Sequence, residues 1–125
     1  MAVDETTATE AYADGTILTD VLGGHAKVKL LVALLSETDR DMNASDISRM
    51  AGIDRSTFYD HIDDLRAWGI VEQTRTVGNS KMYRLNTDSE AAKVLGKLEW
   101  ELLEVLAEKE QAEELDEENR PILVE

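Results

Sequence analysis

The spacing of apolar residues predicts helices over most of the chain. Ile17, Leu18, Val21 and Leu22 recur at helical intervals, and two glycines directly after them indicate where this short helix ends. The next segment, HAKVKLLVALLSE, is apolar on almost every side, which is typical of a buried helix. We expect His25 to cap this second helix rather than to bind a ligand.

Two further helices follow, separated by a short turn. Asn43 and Asp54 are residue types that commonly cap helix N-termini, and Gly52 between them is a common helix end. The second helix of this pair presents one apolar face, which we expect to be buried and which consists of Phe58, Ile62 and Leu65.

The pattern then changes to that of strands. IVEQTRT is rich in β-forming residues, KMYRLN alternates between two faces, and Gly78–Asn79 between them supplies the residues of a hairpin turn. A short strand is also expected at Met42. We expect Tyr83 to belong to the core, and Arg66 and Arg84 to form structural ion pairs.

A long helix is predicted at the end of the chain. Its apolar residues step by four and three, which indicates a coiled-coil-like dimer interface made of Ala91, Leu95, Leu98, Leu102 and Val105. The predicted fold class is therefore mainly α with a small β-hairpin, a winged helix-turn-helix plus a long C-terminal dimerisation helix. The expected divisions are a disordered acidic tail at 1–14, the winged helix-turn-helix at 15–87, the dimerisation helix at 88–115 and a second tail at 116–125.

One segment resembles a known family. ASDISRMAGIDRSTFYDHIDDLRAWGIVEQTRTVGNSKMYRL is similar to the winged helix-turn-helix of prokaryotic transcription regulators in the broad MarR/ArsR-like group. STFYDHIDDLRAWGIV matches the pattern of the group's second helix, and VGNSKMYRL matches its β-hairpin wing. The resemblance covers roughly residues 16–86 and implies binding to double-stranded DNA.

The orientation of the second helix identifies the side chains expected to contact DNA. If Phe58 faces the core, the first turns present polar residues outward, where recognition helices contact base edges and phosphates. The expected contacts are Arg55, Ser56, Thr57, Tyr59, Asp60 and His61 in the helix, and Arg75, Asn79, Ser80 and Lys81 at the wing. Asp60 departs from the basic residue common in the family. It either accepts from a cytosine amino group, caps the helix or repels DNA. His61 is equally consistent with a surface or packing histidine.

The net charge of −14 disfavours DNA binding in dilute buffer. The excess lies outside the middle of the chain, because residues 1–20 carry −5 and residues 85–125 carry −9, whereas residues 21–53 and 54–84 are each neutral. In concentrated salt the Debye length is about 3 Å, so only adjacent charges interact. The excess of acids, the few lysines and the absence of cysteine resemble proteins of salt-adapted archaea.

The function predicted from these patterns is a sequence-specific DNA-binding transcription regulator that acts as a homodimer. The alternative is a winged-helix protein–protein interaction module of transcription or chromosome-organisation machinery. We expect no enzymatic activity, because no nucleophile–base pair, phosphate loop or metal cluster is evident, and we expect no cofactor and no metal. No apolar run reaches the length of a membrane span and no signal peptide is evident, so a soluble cytoplasmic protein is expected. No effector ligand is indicated.

Overall fold

The computed structural model describes residue 13 and residues 15–119, and the side chains of the last helix as far as residue 113. Within this part, the chain forms five helices and three strands. In chain order these are α1 (Ile17–Leu22), α2 (Ala26–Leu35), β1 (Met42–Asn43), α3 (Ala44–Ala51), α4 (Arg55–Ala67), β2 (Val71–Val77), β3 (Ser80–Leu85) and α5 (Glu90–Asn119).

The strands form one antiparallel sheet in the order β1–β3–β2. β2 and β3 are the predicted hairpin, and β1 adds the short strand expected at Met42, which pairs with Tyr83. The predicted fold class is therefore confirmed: a mainly helical chain carries a helix-turn-helix, a small wing and a long C-terminal helix.

The helix-turn-helix is defined by its caps. The Asn43 side chain accepts a hydrogen bond of 2.8 Å from the Asp46 N–H, which caps α3. Gly52 then ends α3 with a φ of 76°, a left-handed conformation that glycine adopts at little cost. The Asp54 carboxylate accepts from the Thr57 N–H at 2.9 Å and caps α4. Both helices thus begin where their capping residues predict.

The core lies between α2, α3, α4 and the sheet. Phe58, Ile62 and Leu65 of α4 are buried in it, as predicted, and so is Tyr83 of the wing. The Phe58 and Tyr83 rings meet edge to face, with centroids 5.4 Å apart. Because this face of α4 is fixed against the sheet, the opposite face is open to solvent.

The wing is a hairpin with a bulge. Gly78, at a φ of 61°, forms the turn with Asn79, and the last cross-strand pair is Val77 with Ser80. The register shifts between Gln73 and Arg75, so Thr74 is an extra residue in β2. Such a bulge increases the twist of a hairpin and redirects its tip.

Part of the predicted dimer interface on α5 also packs on its own domain. Leu102 packs against a small cluster made of Ala13, Leu18 and Val32, and Leu95 is half-buried. Both were predicted to face a partner. The four-three spacing identified an apolar helix, but it could not tell a face that packs on α1 and α2 from one that meets a second chain.

Other apolar residues of α5 are exposed. Ala91, Leu98 and Val105 of the predicted interface face solvent, and Val94, which was not predicted, joins them on the same side of the helix. Val94 is 63% exposed. Among the described residues, no helix is both long and apolar enough to cross a bilayer.

Two predicted boundaries differ from the structure. α5 begins at Glu90 because the Ser89 hydroxyl accepts from the Ala92 N–H at 3.2 Å, and it continues to Asn119 through strong helix formers rather than ending at 115. Ala13 was assigned to the N-terminal tail, yet it is buried, and its N–H donates to the Met50 carbonyl at 3.1 Å. The rest of the tail predicted at 1–14, and residues 120–125 of the second tail, lie outside the described residues.

Candidate nucleic-acid interface

The outer face of the first turns of α4 carries exposed polar side chains. Arg55, Ser56, Tyr59 and Asp60 are all exposed, on the side opposite the buried Phe58. Arg55 and Tyr59 lie one turn apart, with 3.5 Å between the guanidinium Nη2 and the phenol oxygen. Residues with this placement are able to reach base edges when the N-terminal turns of a helix enter the major groove.

A surface cleft joins this helix face to the wing. It has a volume of about 200 Å³ and lies between the first turns of α4, the wing turn and the start of α3. Five predicted DNA-contact residues line it, namely Arg55, Tyr59, Asn79, Ser80 and Lys81. Residues 76–81 of the sequence alone gave no indication that the wing turn would come this close to α4.

The third wall of the cleft, at the start of α3, was not predicted from the sequence. Asn43, Ala44 and Ser45, at the start of α3, complete the lining. The only available signal was the cap at Asn43, which places a helix N-terminus there. Nothing local in the sequence indicates that this N-terminus faces the wing, because that contact depends on the pairing of β1 with β3.

The charge of the cleft differs from that of the whole chain. Its described lining contains Arg55 and Lys81 and no acidic residue. Three acids directly follow or precede lining residues: Asp46 pairs with Arg49, Asp60 is exposed beside Tyr59, and Asp54 is engaged as the α4 cap. The hydrogen bond from the Thr57 N–H, assisted by the Thr57 and Ser56 hydroxyls, lowers the pKa of Asp54 below its usual value and keeps the cap ionised.

Arg75 forms an ion pair with an acid of its own chain. Its Nε and Nη2 donate to the two Asp41 oxygens at 3.0 and 3.2 Å, and the Thr74 hydroxyl donates to the same carboxylate. The guanidinium of Arg75, with the Thr74 hydroxyl, lowers the pKa of Asp41 from 3.8 to about 2. Arg75 was predicted to touch DNA at the wing. Its ion pair with Asp41 lies at the bulge of β2 and leaves the side chain 64% exposed, so contact with DNA stays a prediction.

His61 lies on another side of α4. Its ring is partly buried and faces His25, with the two centroids 5.9 Å apart, and Lys27 and Asp64 form an ion pair beside them. His25 caps α2 through Nδ1, as predicted. His61 is thus near α2 rather than in the cleft. Of the remaining predicted contacts, Thr57 is half-buried and Ser56 donates to the Asp54 cap at 3.0 Å.

The two ion pairs predicted for Arg66 and Arg84 lie outside the cleft. Arg84 pairs with Glu72 across the hairpin at 3.1 Å, and Arg66 pairs with Asp63 at 3.4 Å, as expected. Among the side chains that the structure describes, those of residue 13 and residues 15–113, no three histidine, aspartate or glutamate side chains are close enough together to hold a metal ion.

Comparison with known proteins identifies the class of domain. The sequence model of the IclR helix-turn-helix domain matches residues 29–75, which include α3, the turn and α4. No curated protein sequence matches the chain. The resemblance to the MarR/ArsR-like group is not confirmed, because the family model that matches describes a different family.

Two solved structures are similar in fold. One is titled a transcriptional repressor, CouR, bound to a 23-mer DNA duplex; it has a TM-score of 0.53, 20% identity, and covers 95% of this chain and 82% of its own. The other, a possible transcriptional regulator from Methanosarcina mazei Go1, has a TM-score of 0.47, 16% identity, and covers 83% of this chain and 87% of its own. The similarity to the repressor shows a winged helix-turn-helix fold, and the matched domain model covers its helix-turn-helix.

Proposed function

We propose that this chain is a DNA-binding transcription regulator that recognises a specific double-stranded sequence as a homodimer. The observation that carries the proposal is the common surface formed by α4 and the wing. Arg55 and Tyr59 of α4 and Lys81 of the wing line one cleft, and no acid lines it with them. The family match over the helix-turn-helix supports the same function.

In this proposal, α4 enters the major groove with its N-terminal turns. Arg55 is suited to a guanine or a phosphate, and Tyr59 to a phosphate or a thymine methyl group. Asp60, exposed beside them, is suited to accept from a cytosine amino group. Asn79, Ser80 and Lys81 then approach the backbone or the adjacent minor groove. Arg75 also holds the wing through its ion pair with Asp41.

The homodimer is proposed from the exposed side of α5. A single winged helix contacts only a few base pairs, and two-fold pairing doubles the contacts and fixes the spacing of two half-sites. Ala91, Val94, Leu98 and Val105 provide an apolar row for that pairing. Leu95 is half-buried and Leu102 packs against the cluster of Ala13, Leu18 and Val32, so the proposed row does not depend on them.

The acidic composition is proposed to be an adaptation to a salt-rich archaeal cytoplasm. Net charge governs solubility and long-range attraction rather than fold. In concentrated salt the acidic ends of the chain are screened, and the neutral middle segment with its acid-free cleft decides whether DNA binds. We propose no enzymatic activity and no cofactor for the chain.

Selection of bound duplexes from a random pool at about 1 M KCl tests this function. We expect one enriched sequence with two-fold symmetry. Tyr59→Ala should lose most of the affinity for it. Trp68→Ala is the matched control, because Trp68 is also an exposed aromatic of α4, at its other end and outside the cleft. If no sequence is enriched, or if both variants weaken binding equally, the proposed function is wrong.

A protein–protein interaction module is the second candidate. Trp68 and Trp100 are 73% and 61% exposed, and exposed tryptophans are enriched where proteins bind one another. This candidate predicts that duplex selection fails, whereas Trp68→Ala abolishes capture of a protein partner from the transcription machinery. The regulator predicts a specific mobility shift at high salt that Trp68→Ala leaves unchanged.

A further inference from the structure

A separate cavity lies where the winged helix-turn-helix meets α5. Its volume is about 170 Å³, and its described lining has no residue in common with that of the cleft between α4 and the wing. Leu35 at the end of α2, Leu85 at the end of β3, and Ala92 and Gly96 of α5 give it an apolar interior. Engineered apolar cavities of roughly 150 Å³ bind benzene, so this cavity has room for an apolar body of about six heavy atoms.

Gly96 is the residue that leaves this space open. It lies in the second turn of α5, where glycine weakens a helix relative to alanine because it loses more backbone freedom on folding. Neither the backbone nor close packing requires a glycine there. Gly96 is not among the glycines with a positive φ, and a Cβ at this position would lie 3.7 Å from Leu35 Cδ2, an ordinary contact. Since Gly96 lines the cavity, its missing side chain provides space for a ligand.

The polar groups of the cavity favour a carboxylate. Thr38 and Thr87 contribute hydroxyls that have no hydrogen-bond partner among the described residues, and Lys93 is the one charged residue of the described lining. Lys93 pairs with Glu90 at 3.2 Å, but the two side chains are 55% and 85% exposed, and exposed pairs contribute little stability. The ammonium is therefore able to turn to a ligand anion, to which the two hydroxyls are also able to donate.

We propose that this cavity binds a short branched-chain monocarboxylate. Its described lining contains the aliphatic side chains of Leu35 and Leu85 and no aromatic ring, which suits a branched aliphatic body. The volume lies below the roughly 300 Å³ at which pockets for drug-sized ligands begin, so the ligand is small. When it is bound, its apolar body lies against Gly96 and its carboxylate meets the Lys93 ammonium.

The position of the cavity connects this ligand to DNA binding. One side of the cavity belongs to the winged helix-turn-helix and the other to α5, so a bound molecule favours one arrangement of the two. The same turns of α5 carry Ala91, Val94 and Leu98 of the proposed dimer row. A shift of α5 therefore changes the distance between the two α4 helices of the dimer. This effect rests on the proposed function, whereas the binding of the ligand does not.

Titration of the full chain with isovalerate, followed through the amide resonances of the protein, tests the binding site. Isovaleramide and isopentylamine are matched probes, because they carry the same branched body with an uncharged or a positive head. At constant ionic strength, isovalerate should give saturable shifts at Thr38, Thr87 and Gly96. Isovaleramide should bind several-fold more weakly, because it lacks the charge that Lys93 meets. The absence of saturable binding, or equal binding of the amine, would overturn the proposal.

Gly96→Ala tests whether the cavity is the site. The added methyl group should raise the melting temperature, because alanine is the better helix former, yet weaken isovalerate binding several-fold, because it occupies the cavity. Gly24→Ala is the matched control. It adds the same methyl group outside the cavity, also 3.7 Å from its nearest described neighbour, Lys29 Cε, and it should bind isovalerate like the wild type. If Gly96→Ala also binds isovalerate as tightly as the wild type, the ligand does not lie in this cavity.

Lys93→Gln tests the class of ligand. This variant should bind isovalerate and isovaleramide equally, because the ammonium that distinguishes the acid from the amide is gone. Lys97→Gln removes the same charge one turn further along α5, outside the lining, and should keep the preference for the acid. A preference that survives in Lys93→Gln would show that the carboxylate does not meet Lys93.

Fluorescence anisotropy with the selected duplex, with and without saturating isovalerate, tests the effect on DNA. The dissociation constant should change several-fold for the wild type and much less for Gly96→Ala. By reciprocity, the duplex should change the affinity for isovalerate by the same factor. Saturable isovalerate binding with an unchanged dissociation constant for the duplex would overturn the link to DNA. If no duplex is selected, the proposed function fails, whereas the resonance titration still decides whether the cavity binds the acid.

Discussion

Phe58 and Tyr59 are adjacent aromatic residues with opposite environments. Phe58 is fully buried and contacts the Tyr83 ring, whereas Tyr59 is about half exposed and lines the cleft. Phe58→Ala should lower the free energy of unfolding by roughly 3–5 kcal/mol, because it leaves a cavity in the core. Tyr59→Ala should change stability little and weaken DNA binding. Urea unfolding of both variants checks this, and a stable Phe58→Ala with an unfolded Tyr59→Ala would show that the orientation of α4 is wrong.

Asp41 makes the stability of the wing depend on pH. Its pKa falls from 3.8 to about 2 because Arg75 and Thr74 donate to the ionised carboxylate. A carboxyl group whose pKa is lower in the folded protein than in the unfolded chain stabilises the fold at pH values above its unfolded-state pKa. This contribution is lost as the pH falls through the folded-state pKa. Asp41→Asn should therefore be less stable than the wild type near pH 7, and the difference should shrink between about pH 4 and pH 2.

Urea unfolding of Asp41→Asn and wild type across this pH range provides the measurement. Asp39→Asn is the control, because Asp39 is exposed in the same loop. It should be as stable as the wild type throughout. A stability difference for Asp41→Asn that stayed constant down to pH 2 would mean that the Asp41–Arg75 pair does not hold the bulge in solution.

At the scale of elements, α5 carries apolar residues that pack on its own domain and others that are exposed, and the proposed dimer uses the exposed ones. Leu98 is exposed, whereas Leu102 packs on α1 and α2. Leu98→Glu should therefore give a monomer with an intact domain and weak DNA binding. Leu102→Glu should lower the free energy of unfolding, by roughly 1–3 kcal/mol, because it brings a charge into the small cluster.

Sedimentation at micromolar concentration shows whether each variant is a monomer or a dimer. Thermal unfolding shows whether the domain of each variant remains as stable as that of the wild type. Val105→Glu should behave like Leu98→Glu, since it lies on the same exposed row. A monomeric wild type under these conditions would rule out the dimer proposed for α5.

The elements show which parts of the structure local sequence determines. Asn43, Gly52 and Asp54 act within three residues of themselves, so their roles at the helix ends were predictable. The bond between Arg75 and Asp41 joins residues 34 positions apart and was not predictable. The anchoring of Ala13 to Met50 also escaped prediction, because a small apolar residue in an acidic segment has no periodicity of its own.

The candidate site also combines features that the local sequence predicts with features that depend on tertiary structure. The periodicity of α4 correctly separated Phe58 from Tyr59, and the glycine turn located the wing. The meeting of α4, the wing turn and Ser45 depends on sheet pairing and on the direction of the hairpin, which are tertiary properties. A basic residue near a wing has the same sequence signature whether it faces DNA or an acid of its own chain, so the ion pair of Arg75 with Asp41 was not predictable.

At the scale of the whole molecule, the charge distribution determines how binding responds to salt. An ordinary DNA-binding protein loses affinity as salt rises, because its cations displace counterions from the phosphates. Here few cations are available, since Arg75, Arg66 and Arg84 are paired with acids. Acids near the bound phosphates, such as the exposed Asp60, favour uptake of cations on binding. Screening also weakens the mutual repulsion of the acidic termini.

Fluorescence anisotropy with the selected duplex across a KCl series tests the central claim most directly. Circular dichroism at each step confirms that the fold is unchanged. We expect specific binding to persist or tighten from a few tenths molar to above about 1 M KCl, because cation uptake offsets counterion release. A steep decline in affinity with salt at constant fold would contradict the account and leave the acidic surface to be explained by a partner other than DNA.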